Sequence, residues 1–448
     1  MRVALHDRVG QRTSSLWLAV LTLSLSLPVR ASAQDAPIAF THAAIETAGK
    51  PGRIENGTLL LRDGKVEAVG EHVKIPDDAR VIDAHGKTIV PGILDPFHEV
   101  SIAGSTVEAA PRPMVVGRRG RGGPPARGGL VNAAFVRIAD NFYPYDASYR
   151  AFLRSGLTGL NLVTNGYGQS ALVRVTPTQP NRMLVNPDGF VFTAVTSDTS
   201  SLDIVRTALE TAEKVKKGVS VTLPSAPPAT TESPPPPEPR ARQGRRRGGR
   251  PGAPGGGPPP ALDSATLKLW QAVYEGKVPF FANAANAAAI VHLLKALEPY
   301  KDVKLVLVAS GPALYETVDQ LGGRSVRLLI HPGLSLKPNT RDRIDIAHVL
   351  HEAHLEFAFT QPTNRNDLLA AQDFPLFSVA YLVKCGLPRE VAFEALTARP
   401  AALLGLDKTH GTIEPGKSAD VLIFTGDPLD PGSELSQVLI EGRMVYEN

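Results

Sequence analysis

Val81-Ile82-Asp83-Ala84-His85-Gly86-Lys87-Thr88-Ile89-Val90-Pro91-Gly92-Ile93-Leu94-Asp95-Pro96-Phe97-His98-Glu99 is the stretch on which the fold turns. Two short apolar runs, Val81–Ala84 and Thr88–Val90, flank His85-Gly86-Lys87 and read as a strand pair. After Pro91-Gly92, Ile93-Leu94-Asp95 reads as a short buried strand whose carboxyl end delivers side chains to a site. Residues 97 and 99 share one face of such a strand and residue 98 takes the other. Glu99 therefore faces the strand-end site, where a carboxylate can ligate a metal or act as a base. His98 points away from it.

Upstream of this stretch the pattern is β. Thr58-Leu59-Leu60-Leu61-Arg62 and Lys65-Val66-Glu67-Ala68-Val69-Gly70 are joined by Asp63-Gly64, the dipeptide of a primed hairpin turn. Near the other end, Gly411 to Phe424 and Ser436 to Tyr446 again read as strand, turn, strand. Neither terminal module has enough strands to close a core by itself. The economical solution is one β-sandwich made of residues 36–90 and 406–448, with residues 91–405 inserted between them.

Within the insert, strand and helix signals alternate as an α/β barrel requires. The strand candidates are Leu157–Val163, Gly189–Ala194, Val278–Asn283, Val303–Val308, Val326–His331 and Leu355–Thr360. Helical patterns separate them, among them Asp203–Lys217, Asp263–Glu275, Asn286–Glu298, Ala313–Leu321 and Thr340–His354. Fewer than eight strands read clearly, and Ser101 to Ala171 is irregular. Residues 118–129 and 224–260, rich in Gly, Arg and Pro, cannot offset their ordering entropy by burial and are expected to be disordered insertions.

At 448 residues and 43% hydrophobic content the chain can bury a full-sized core. Its single cysteine, Cys385, excludes an intrachain disulfide and a thiolate metal cluster, and reads as a small core residue at a helix end. The formal charge of +4 resides largely in the two Arg-rich insertions, so no basic face and no nucleic-acid partner is expected. Arg2, Arg8 and Arg12 precede the apolar run Leu16–Leu27, and Ala31-Ser32-Ala33 offers a small-x-small cleavage site. Residues 1–33 thus read as a signal peptide, and the mature chain as exported, periplasmic or secreted, and not an integral membrane protein.

The hairpin Asn56–Val66, the run Val81–Asp95, and Thr397–Leu406 leading to Gly411–Asp420 resemble the framing segments of the amidohydrolase superfamily, particularly its imidazolonepropionase- and dihydroorotase-like members. The resemblance implies a (β/α)8 TIM-like barrel with a composite β-sandwich, hydrolysis of non-peptide carbon–nitrogen bonds, and a divalent metal such as zinc. It also implies a ligand set that this chain lacks. The family's His-x-His positions fall on Phe97 and Glu99, a later strand-end histidine on Asn283, and the catalytic aspartate on Gln361. The segment Leu307–Gly311 lacks the second strand-end histidine, and Arg174 stands in a family-like loop without a lysine that could be carbamylated. An amide oxygen such as that of Gln361 cannot take the proton of an attacking water, so no bound metal is expected.

Two other arrangements carry chemistry. His348, His351, Glu352 and His354 have helical spacing, but this is not the His-Glu-x-x-His zinc pattern and fits the solvated face of an outer helix. His331 ends a predicted strand, where barrel enzymes keep their active residues, and could form a metal-free acid–base pair with Glu99. The sequence leaves two functions open. One is an altered hydrolase using Glu99 and His331. The other is a non-catalytic binding or scaffold protein that keeps the barrel mouth as a small-molecule pocket or pairs with an active relative.

Overall fold

The protein is described from a computed structural model, which places residues 36–100, 135–164, 166–197, 199–221, 262–361 and 376–448. The expected signal peptide and the insertions at 118–129 and 224–260 lie outside the described residues. In chain order the strands that build the fold are β1 (Ile38–Glu46), β2 (Arg53–Arg62), β3 (Lys65–Gly70), β4 (Arg80–Asp83), β5 (Thr88–Pro91), β6 (Ile93–Glu99), β7 (Leu157–Val163) and β8 (Ala171–Arg174). They continue with β9 (Val191–Val195), β10 (Phe280–Ala284), β11 (Leu305–Ala309), β12 (Val326–Ile330), β13 (Phe357–Phe359), β14 (Val421–Phe424), β15 (Leu435–Ile440) and β16 (Arg443–Glu447). The helices are α1 (Ser148–Arg154), α2 (Thr199–Lys216), α3 (Ser264–Tyr274), α4 (Ala287–Leu297), α5 (Gly311–Leu321), α6 (Ile346–Glu352), α7 (Phe377–Lys384), α8 (Arg389–Leu396) and α9 (Ala398–Leu403).

The two ends of the chain share one sheet. Its order is β16-β15-β14-β5-β1-β2-β3, with β4 beside β1, so the expected sandwich is built as one mixed eight-stranded sheet. The ends meet where β14 runs antiparallel to β5, with Leu422 opposite Val90. At the β2–β3 turn Asp63 and Gly64 both have positive φ, the primed geometry that the dipeptide predicts. Phe40, Ile45, Leu59, Leu61 and Val66 pack in one cluster with Val421, Ile423 and Leu439. Each end thus buries the apolar face of the other.

The parallel strands of the insert fall into two sheets. β6 pairs with β7, while β9, β10, β11, β12 and β13 form a separate parallel run. Among the described residues the expected (β/α)8 barrel is therefore not closed by backbone ladders. On one side, β8 covers the edge of β7 and the short strand Tyr167–Gln169 covers that of β9, both antiparallel, so the two edges do not meet. On the other side β13 is only three residues long, and side-chain bonds from Thr360 bridge to β6 in place of a ladder. α3 and α4 start within a residue of where expected, and the first residue of each expected span is the cap: Asp263 accepts from Thr266 N and Asn286 from Ala289 N. Cys385 departs from its reading as a core residue. It follows the last residue of α7 and is exposed.

Two charged clusters tie the terminal sheet to the insert. Arg389 of α8 reaches Glu46 of β1 at 2.6 Å and holds Asp427 with both terminal nitrogens, each at 3.0 Å. Elsewhere Glu441, in the β15–β16 turn, receives Arg174 of β8 and Arg182. His410 joins this second cluster in a defined tautomer. Thr409 Oγ1 donates to the Leu406 carbonyl and so accepts from His410 Nδ1 at 2.8 Å, which leaves Nε2 to accept from Arg174 at 3.1 Å, with Asp420 at 3.5 Å. Burial, together with the adjacent Arg174, pushes the His410 imidazole below its ordinary value, against the pull of Asp420 and Glu441.

Two outcomes follow from these seams. A chain ending at Gly405 loses β14–β16, exposes Leu59, Leu61 and Val66, and leaves unpaired edges on β5, so it is expected in the insoluble fraction; soluble protein with a cooperative melt would contradict the shared core. Because the folded pKa of His410 is depressed, the unfolded chain binds its proton more readily. The stability tied to this group is present above about pH 6.5 and is lost as pH falls through the lower folded value. Denaturant midpoints measured across that range are expected to fall less in His410→Asn than in the wild type.

Candidate functional site at the carboxyl ends of the parallel strands

Strand β6 is buried from Ile93 through His98 and becomes half-buried at Glu99. Its register against β7 slips, with Asp95 opposite Leu160 but His98 opposite Leu162, so three steps on β6 oppose two on β7. The extra residue falls at Pro96-Phe97, where Pro96 has no N–H to give to a ladder. The Pro96 carbonyl instead accepts from Asn161 Nδ2 at 3.0 Å. Beyond the slip, His98 lies edge-on to Phe152 of α1, with centroids 4.7 Å apart, and its Nδ1 lies 2.8 Å from Asp95 Oδ2. The imidazole thus belongs to the layer between strand and outer helix, the face that strand alternation assigns to it.

Asp95 is fully buried, and a buried carboxylate persists only where donors surround it. Its Oδ1 accepts from Thr360 Oγ1 at 2.6 Å, from Phe97 N at 3.3 Å and from Gln361 N at 3.4 Å, while Oδ2 takes His98. Thr360 also lies 3.1 Å from the Phe97 carbonyl. Asp95 is the residue that sequence reasoning passed over. The available signal was its position, a carboxylate between Leu94 and Pro96 in a run that is otherwise apolar.

The residues at the expected ligand positions have other partners. Phe97 stacks on Phe281 at 6.3 Å, an apolar layer just beneath the strand ends, and Phe281 stacks in turn on Phe190 at 5.3 Å, at the amino end of β9. At the strand ends, Asn283 Nδ2 donates to Glu99 Oε1 at 3.0 Å. His331 is exposed after β12, and its Nδ1 lies 3.1 Å from the Thr360 carbonyl. A carbonyl only accepts, so Nδ1 carries the proton. Gln361 is half-buried and is held through its backbone N–H. The described hydrogen bonds therefore direct Glu99 to Asn283 and His331 to Thr360, not to each other.

The residues do not fit a hydrolytic metal. Phe97 has no donor atom, Asn283 turns its N–H2 group toward Glu99, and His98 is on the other side of the strand. Among the described residues no group of three or more His, Cys, Asp or Glu side chains gathers closely enough to hold an ion. His348 and His351 lie half-buried on α6, whose core side is Ile346, Ala347 and Leu350, and His354 beyond its end is exposed.

Comparison with known proteins agrees with this architecture. Residues 380–446 match the amidohydrolase family. The chain is 39% identical over 59 residues to the imidazolonepropionase of Geobacillus sp. (strain WCH70), and 39% identical over 61 residues to that of Symbiobacterium thermophilum. Each match covers 12% of this chain and 14% of the relative, a small part of the curated relatives' length. An amidohydrolase of Thermotoga maritima MSB8, known from its crystal structure, superposes with a TM-score of 0.65 at 19% identity, over 92% of this chain and all of that one. A second crystallised amidohydrolase, 17% identical, gives 0.51 over 92% and 99%. At these identities the likeness is one of fold.

The buried hub yields a direct test. Thr360→Val keeps the shape and removes the hydroxyl that gives Asp95 its shortest bond, and is expected to cost about 1–3 kcal/mol of unfolding free energy, the range for stranding a buried acceptor. Thr360→Ser should recover most of that loss in a urea titration. Equal stability of Val and wild type would remove Thr360 from the hub.

Proposed function

We propose that this chain, which belongs to the amidohydrolase superfamily, keeps the barrel-like framework as a small-molecule binding site and no longer carries out metal-dependent hydrolysis. The observation that carries this reading is the Asn283–Glu99 hydrogen bond laid across the strand ends beside the Phe97–Phe281 stack. Ligand-type groups are needed at those positions to hold a metal while leaving a place open for water. An aromatic ring supplies no ligand atom, and Asn283, its N–H2 spent on Glu99, leaves only a neutral amide oxygen where an imidazole is needed. Gln361, beside the hub, offers an amide in place of a base. In this reading the protein is exported, a proposal supported by the basic and apolar runs and the small-x-small site within residues 1–33. Among the described residues no helix is long and apolar enough to cross a membrane.

Metal analysis of full-length protein purified without chelator tests the proposal. The expected result is zinc, manganese and nickel well below one per chain, unchanged after incubation with zinc and desalting. One tightly retained metal per chain would overturn it.

A further inference from the structure

We propose that the ligand taken at these strand ends is an organic cation bearing an amine, amidinium or guanidinium group. The inference rests on reading the strand ends as a binding site and names the chemistry that site selects.

Hydrogen-bonding capacity left open at the strand ends selects such a ligand. Glu99 accepts one neutral amide proton through Oε1, which satisfies that oxygen without cancelling the charge, and it forms no ion pair among the described residues. Its second oxygen has no hydrogen bond among the described residues. Asn283 has given its N–H2 to Glu99, so what it still offers is its carbonyl oxygen. His331 has fixed its proton on Nδ1 by donating to Thr360 O, and the neutral ring therefore presents the Nε2 lone pair. Three groups from β6, β10 and the end of β12 thus seek donors. Among the described residues the Gln361 amide is a countervailing donor, and the hydroxyls of Thr164 and Ser310, which follow β7 and β11, can donate or accept.

Charge points the same way. None of the residues that close or immediately follow β6, β7 and β9 to β13 is lysine or arginine. The helices that begin at the same end contribute partial positive charge, but each amounts to about half an elementary charge, confined to its first turn. At α4 the Asn286 side chain already accepts one of the free N–H groups. A full carboxylate dominates at contact distance. Directly beneath the carboxylate the buried Phe97–Phe281 stack forms an apolar layer, which keeps the surroundings of Glu99 poor in competing polar groups.

Calorimetric titration of the full chain with benzamidine and benzylamine, alongside benzoate and benzyl alcohol as anionic and neutral counterparts, tests the inference. Both cations are expected to bind saturably, benzoate not at all, and Glu99→Gln to weaken the cations at least tenfold while its melting midpoint stays near wild type. Gln361→Lys, which alters a side chain with no described hydrogen bond, places a rival cation there without touching Glu99. It should weaken benzamidine and admit benzoate, and it keeps the test open if Glu99→Gln does not fold. Benzoate binding as tightly as benzamidine, cation affinity unchanged in Glu99→Gln, or no saturable binding of either cation would overturn the inference. Metal content of the same sample separates the two levels. Benzoate preference with a retained metal means the metal-free reading itself has failed, whereas benzoate preference without metal defeats the cation alone.

Discussion

The buried carboxylate of Asp95 is the constraint on which the strand ends depend. It closes the side of the insert where β13 is too short to pair with β6, because Thr360 reaches both Asp95 and the Phe97 carbonyl and the Gln361 N–H leans on the same oxygen. It also holds His98 on the helix side of the strand. A carboxylate removed from water costs several kcal/mol unless donors replace the lost hydration, so strand, hydroxyl and imidazole are fixed together. The positions of Glu99 and Gln361 follow from that arrangement.

The strands were legible because burial leaves a simple mark. Leu157–Val163 is buried at every position, and Val326–Ile330 begins where the apolar run begins. The joining of the two chain ends was legible for a different reason, since neither end has enough strands to cover its own apolar residues. The break between the two parallel sheets was not. It depends on β8 and Tyr167–Gln169 turning antiparallel to cap the edges, and in a stretch as short as Tyr167-Gly168-Gln169 nothing in periodicity separates a parallel strand from an antiparallel one.

At the site, alternation along β6 put His98 and Glu99 on opposite sides, and they lie so. The route to that result was longer than period two, because a register slip intervenes at Pro96. What could not be read was the pairing across the strand ends. That Asn283 would give its amide to Glu99, and His331 its proton to the Thr360 carbonyl, depends on which strand ends face one another in space. Residue types name the available donors and acceptors; only the fold decides which are spent.

The framework and the strand ends draw on different residues. The stability of the insert resides in residues such as Phe280, Trp270 and Leu307, which face the helices or fill the layer beneath the strand ends. Trp270 settles its indole N–H on the Tyr167 hydroxyl at 2.7 Å, well within that layer. The residues at the carboxyl ends are distinct from these, so changes there leave the framework contacts untouched. The stack of Phe97 on Phe281 fills the space beneath the ends, and the Asn283 amide satisfies one oxygen of Glu99. A neutral amide satisfies an oxygen without neutralising a carboxylate, so hydrogen bonding and charge are settled separately at this position.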